Sequence, residues 1–184
     1  DKTIFEEYYL QHDRVHFEEK IKEEALQLSS AQELAFQEIE KSFNSKEVCL
    51  LHGVTSSGKT EIYIQLIERY LQQEKQILYL LPEIALTTQL VGRLRAYFGN
   101  KVAVFHSKHS NNERVEVWKQ VLENSPKAQI VIGARSALFL PFSNLGLIIV
   151  DEEHEQTFKQ QDPAPRYHAR DAAVVLASLH QVTQ

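Results

Sequence analysis

The 184 residues carry 43% hydrophobic and 9% aromatic side chains, enough to bury the core of one ordinary domain and too little for two large ones. A formal net charge of −5 argues against a surface that holds nucleic acid by bulk charge, so DNA contact has to come from local groups such as Arg93 with Arg95, Arg135, or Lys159 with Arg166 and Arg170. No apolar run approaches the roughly 18–20 residues of a membrane span, and the opening DKTIFEEYYL lacks the basic start and apolar middle of a signal peptide.

Residues 1–28 are dense in Glu and Lys, with apolar positions at Ile4, Tyr8, Ile21, Ala25 and Leu28. This incomplete helical stripe predicts a connecting helix from an upstream domain. The absence of methionine, even at position 1, likewise suggests a piece of a larger protein. His12 and His16 stand at i, i+4, but no third ligand is nearby and a solvated helix face is the better reading. Residues 29–184 read as one domain. Ser30 followed by Glu33 has the form of a capping box, and Ala35, Ile39 and Phe43 then recur at helical spacing, which predicts a short helix.

Five apolar runs of strand length follow: VCLLHG (48–53), QILYLL (76–81), KVAVF (101–105), QIVIG (129–133) and LIIV (147–150). The lone cysteine, Cys49, lies in the first of them, which excludes a disulfide framework or Cys-rich metal site within these residues and fits a reducing, cytoplasmic setting. Between the runs, helical spacing appears at Ile62, Leu66, Ile67 and Tyr70, at Leu90, Leu94 and Tyr97, and at Val115, Trp118 and Leu122. Gly99 suits the residue just past the second helix, and Ser110 with Glu113 forms a capping box before the third. Strands apolar on both faces and alternating with helices predict an α/β doubly wound, mainly parallel sheet, whose ligand sites lie at the carboxyl ends of the strands.

Gly53-Val54-Thr55-Ser56-Ser57-Gly58-Lys59-Thr60 matches G-x-x-x-x-G-K-[ST] between a predicted strand and a predicted helix, the signature of a P-loop NTPase. Backbone N–H groups in such a loop, with the positive end of the helix dipole, cradle a β-phosphate. Lys59 is then placed to reach the β- and γ-phosphates of ATP, and the Thr60 hydroxyl to ligate Mg²⁺. At the end of the last run, DEEH puts Asp151 and Glu152 after LIIV; Asp151 suits holding Mg²⁺ through water, and Glu152 suits orienting the attacking water. His154, three residues past Asp151, is placed to link hydrolysis to another element.

The loop GVTSSGKTEIY, the run LLPEIALTTQL, the segment GARSALFLPF, the tetrad DEEH and the stretch PRYHARDAAVV, all in order, resemble the PriA family of superfamily 2 DExH helicases, from about Leu28 to the end of the chain. The resemblance implies the first RecA-like lobe of a 3′ to 5′ DNA helicase of replication restart and primosome assembly. It implies that Gln32 reads the adenine edge, that Thr87, Thr88 and Gln89 contact the backbone of single-stranded DNA, and that Arg135 and Ser136 form a second such segment. The stretch from Phe158 to Arg170, with Lys159, Arg166, Tyr167 and His168, resembles an aromatic loop that senses DNA, and aromatics among cations suit base stacking and phosphate neutralisation. Two positions depart from the pattern: Ser56 stands where the family usually has glycine, and Pro165 stands where some relatives have an aromatic.

ATP and Mg²⁺ are therefore the expected cofactors, with zinc only outside these residues. Expected partners are single-stranded and forked DNA, a single-strand binding protein and primosome-loading proteins, with no membrane and a monomeric state. Rival readings are a DNA translocase without unwinding, and a DNA- or protein-binding module with a vestigial nucleotide pocket. A small-molecule kinase fits poorly, because DEEH is present and no lid segment is evident.

Overall fold

The computed structural model describes residues 27–53, 57–82, 88–107 and 109–180, with the side chain of Thr88 outside that set. The expected connecting helix, apart from its last two residues, and Thr55, Ser56 and Thr87 therefore lie outside the described residues.

Helix α1 (Ser30–Phe43) is capped one residue earlier than expected. Ser29 Oγ accepts from the Gln32 backbone N–H at 3.3 Å, and Gln32 Oε1 accepts from the Ser29 N–H at 2.8 Å. Both Ser29-x-x-Gln32 and Ser30-x-x-Glu33 satisfy the residue pattern. Backbone geometry decides, since Ser29 has the extended conformation a cap residue needs (φ −66°, ψ 162°). Helix α2 (Lys59–Gln72) follows, then strand β1 (Gln76–Leu80), helix α3 (Thr88–Phe98) and strand β2 (Val102–Phe105). Gly99, at φ 59°, ends α3 as the sequence predicts. Helix α4 (Asn111–Leu122) carries the expected Ser110–Glu113 capping box. Strands β3 (Ile130–Gly133) and β4 (Leu145–Val150) come next, and helix α5 (Ala169–His180) closes the described fold.

All strand pairs are parallel, in the order β2-β3-β1-β4. The register aligns Leu80 with both Gly133 and Val150, and Phe105 with Gly133, so the four carboxyl ends form one edge. The strands are buried on both faces, and side chains alternate between two cores. Ile77, Tyr79, Ile130, Ile132, Leu147 and Ile149 pack with α1, α2 and α3. Leu78, Leu80, Val131 and Ile148 pack on the other face with Val121 of α4 and with Ala169, Ala173 and Ala177 of α5. The i, i+4, i+8 spacing of those three alanines sets α5 close to the sheet. No described helix is long and apolar enough to cross a membrane.

The run 48–53 is a correction: it joins no ladder in the described fold. Leu50 is 73% exposed, Cys49 and Leu51 pack partly against the core, and a cavity of about 330 Å³ separates the run from β4. Length and composition suit a strand, but a strand exists only through pairing, and β4 is the sheet edge among the described residues.

Among the described residues, one polar side chain is fully buried in the core. Gln76 Nε2 donates to the Val121 carbonyl at 2.8 Å, and its Oε1 accepts from the N–H groups of Ser143 and Asn144 at 2.9 and 2.8 Å. It thus joins β1, the end of α4 and the turn into β4. Replacing Gln76 with alanine leaves those backbone groups buried without partners and is expected to cost about 2–4 kcal/mol in urea unfolding. A loss below about 0.5 kcal/mol would show that water replaces the amide.

Candidate nucleotide site

The amino terminus of α2 opens at the carboxyl edge of the sheet. Gly58 caps the helix at φ 82°, a left-handed conformation that disfavours a side chain. A Cβ there would also meet Gln32 Nε2 at 2.1 Å. Gln32 Nε2 donates to the Gly58 carbonyl at 3.1 Å, so the amide that caps α1 also fixes the turn into α2. In this structure Gln32 thus binds protein groups at both ends of its amide. Lys59 Nζ donates to the Gly53 carbonyl at 3.0 Å and lies 3.8 Å from Glu152 Oε1.

The acidic residues hang from the end of β4. The Asp151 N–H donates to the Leu80 carbonyl at 3.0 Å, which extends the β1–β4 ladder by one residue. Asp151 Oδ2 accepts from the Tyr79 hydroxyl at 2.9 Å, and Oδ1 accepts from the Glu152 N–H at 3.0 Å. Burial pushes the Asp151 carboxyl above the ordinary aspartate range, opposed by the Tyr79 hydrogen bond. Burial, reinforced by Asp151, raises the Tyr79 phenol well above its usual value, so it stays a donor. Tyr79 was not singled out in the sequence because it sits inside an apolar run. The available signal was its hydroxyl, which needs a partner when buried. Glu152 stands at φ 52°, a left-handed conformation that costs on the order of 1–3 kcal/mol in a non-glycine residue. His154 is exposed, with Nε2 3.7 Å from Glu152 Oε2.

A cavity of about 420 Å³ brings Ser57, Lys59, Thr60, Asp151 and Glu152 together. The donor set fits Mg²⁺: a hydroxyl and a carboxylate are hard oxygen ligands, and this ion usually takes one or two carboxylates and completes its shell with substrate phosphates and water. Among the described residues no group of three or more His, Cys, Asp or Glu is arranged to hold a metal. Arg93, which the sequence offered only as one of a basic pair, lines the same cavity from α3 beside Glu61. Its guanidinium donates to Glu61 Oε1. The pair holds the Glu61 carboxyl below its usual range and Arg93 above its own, with Tyr97 contributing on the arginine side.

The residues expected to meet DNA fall into three groups. Gln89 is exposed near the start of α3. Arg135 and half-buried Ser136 lie in the short helix Arg135–Phe139 after β3. Arg135 Nη1 donates to the carbonyls of Thr157 and Lys159 at 3.3 and 3.1 Å, which ties that turn to the third group. There, Lys159 bridges His168 in antiparallel fashion, and the Gln160 N–H donates to the Tyr167 carbonyl at 2.8 Å. Phe158 is a correction as a stacking residue: it is 1% exposed and belongs to the core with Ala169 and Ala173, because an aromatic this large contributes more as core than as surface. Tyr167 is partly buried edge-on against exposed Phe139, with centroids 5.5 Å apart. Phe139 was not expected from the sequence. Arg166 and Arg170 are exposed, and Arg170 Nη1 donates to Glu153 Oε2 at 2.8 Å, linking this segment to the acidic tetrad.

The chain is similar to known proteins. The replication restart protein PriA of Bacillus subtilis (strain 168) is 45% identical over 97% of this chain and 22% of its own length. The PriA proteins of Synechocystis and Haemophilus influenzae are 50% and 51% identical, over 86% and 84% of this chain and 19% and 21% of theirs. The chain thus spans about a fifth of the length of these curated relatives. Among solved structures, the DUF1998 helicase MrfA has a similar fold, with a TM-score of 0.58 at 21% identity, over 91% of this chain and 28% of that one. The DEAD/DEAH box helicase family model matches residues 29–178, which include the nucleotide cavity and the whole sheet, and the chain belongs to that family.

Proposed function

We propose that the chain is the ATP-binding lobe of an ATP-dependent 3′ to 5′ DNA helicase acting in replication restart and primosome assembly. The observation that carries this reading is the convergence of Lys59, Thr60, Asp151 and Glu152 on one cavity at the carboxyl edge of a parallel sheet. Its similarity to PriA proteins supports the cellular role.

On this reading the backbone of Gly53 and of residues 55–60 cradles the phosphates, and Lys59 leaves the Gly53 carbonyl to neutralise them. Thr60 and Asp151 hold Mg²⁺, which draws charge from the transferring phosphoryl group when bound. Glu152 orients the attacking water, and its left-handed backbone aims the carboxylate into the cavity. Gln32 reads adenine once its amide exchanges a protein partner for the base. Thr87, Thr88, Gln89, Arg135 and Ser136 contact single-stranded DNA. Lys159, Arg166, Tyr167, His168 and Arg170 sense forked DNA, while His154 and the Arg170–Glu153 pair relay its arrival to the tetrad. A single-strand binding protein and primosome-loading proteins are the proposed partners, in the cytoplasm.

Motors of this type hydrolyse ATP between two lobes, the second supplying arginines worth about 10³–10⁵ in rate. These residues hold one lobe, so the chain alone is expected to bind nucleotide and turn it over slowly, with little DNA stimulation. Rapid DNA-stimulated turnover by the chain alone would contradict this. Lys59→Ala removes the cation that meets the phosphates and is expected to weaken ATP binding about tenfold or more by calorimetry; unchanged affinity would sink the phosphate assignment. Glu152→Gln, in a protein carrying this lobe joined to a second, is expected to lower DNA-stimulated hydrolysis about 100-fold or more while ATP still binds. Equal rates would remove Glu152 from the chemistry.

A further inference from the structure

The cavity that gathers Lys59, Thr60, Asp151 and Glu152 has one more cation on its wall. Arg93 reaches it from α3, a separate element from the phosphate loop. Its side chain is 40% exposed and that of Glu61 24% exposed. Glu61 lies in the first turn of α2, and the ion pair holds the guanidinium on the wall of the cavity that Thr60 also lines. A guanidinium has five N–H donors in a fixed fork. The contact with Glu61 uses Nη2 and Tyr97 also bonds the group, so of the five donors some are left for an oxyanion.

The loop and the α2 amino terminus answer to the part of a nucleotide common to a diphosphate and a triphosphate, since their N–H groups surround the β-phosphate. On the ATP reading, Asp151 and Glu152, which line the cavity, face the last phosphate and the attacking water. Arg93 lines the same chamber as these two carboxylates, and nothing else in the described wall adds positive charge apart from Lys59. Bringing a γ-phosphate next to two carboxylates raises like-charge repulsion, which a second cation offsets.

We propose that Arg93 contacts the terminal phosphate and makes the site prefer a triphosphate to a diphosphate, with Glu61 as the residue that positions its guanidinium in advance. This inference rests on the reading of the cavity as an ATP site. It also gives α3 a part in nucleotide sensing.

The test is titration of the chain with fluorescent ADP and with a fluorescent non-hydrolysable ATP analogue, both with Mg²⁺, for the unaltered chain, Arg93→Ala, Arg93→Lys, Glu61→Gln and Lys59→Ala. Arg93→Ala is expected to lose about tenfold or more in affinity for the ATP analogue and less than twofold for ADP. Arg93→Lys keeps the charge but not the fork and is expected to fall between. Glu61→Gln is expected to narrow the ratio between the two ligands through misplacement of the guanidinium. Retained ADP binding and an unchanged melting temperature separate these effects from misfolding. If Arg93→Ala weakens both ligands equally, or neither, Arg93 does not read the terminal phosphate and the proposal is overturned while the ATP site stands. If the unaltered chain binds neither ligand, or Lys59→Ala binds both as well as it does, the ATP reading itself fails and this inference with it.

Discussion

The parallel pairing of β1 with β4 carries the backbone of Asp151 onto the Leu80 carbonyl at 3.0 Å, and the polar geometry of the site hangs from that ladder. Two residues that differ by 72 positions, Tyr79 and Asp151, meet through a 2.9 Å hydrogen bond because their strands are in register. The tyrosine belongs to the buried core on the helix α2 face, edge-on to Tyr63 with centroids 5.8 Å apart. One end of its ring is therefore packed hydrocarbon and the other end sets a carboxylate. Core packing and site chemistry are continuous at this point.

The other half of the site depends on a second device, the Gln32 amide. It closes the cap of α1 through Ser29 and holds the Gly58 carbonyl at the start of α2. The loop turn, the helix amino terminus and the first helix are thereby fixed to one another. Toward the far end of the tetrad, Arg170 holds Glu153 and Arg135 holds the carbonyls of Thr157 and Lys159. These charged contacts run over exposed or half-exposed surface, where they contribute little to stability. Their effect is geometric, joining the turn after β3 and the segment before α5 to the acidic strand end.

Much of this was legible in the sequence, and the reasons for the rest are specific. Four of five expected strands form because runs such as ILYL and LIIV are apolar on both faces, and a parallel sheet covered by helices on both sides buries both. The run 48–53 has the same character, yet pairing is a long-range property that composition does not carry. The loop and DEEH stand out because their residue types are set by chemistry at fixed spacing. Tyr79 and Arg93 do not, since each lies in an element whose pattern is explained by packing or solvent exposure, and only the fold brings them to the cavity. Phe158 shows the reverse error, an aromatic among cations whose ring the fold uses as core. The overlap of two capping signatures at Ser29 and Ser30 is resolved by backbone conformation, since Ser29 is extended and closes the box with Gln32, which residue types alone do not specify.

The carboxyl edge of β1 and β4 with the turn into α2 is proposed as a nucleotide site shared with Mg²⁺. Amide NMR of the chain, titrated with a non-hydrolysable ATP analogue with and without Mg²⁺, tests it most directly. Saturable shifts confined to Gly53, Ser57–Thr60, Asp151 and Glu152, with Mg²⁺ altering Thr60 and Asp151 most, are the expected result. Saturation with no shift at these amides, or with shifts centred elsewhere on the sheet, would contradict it.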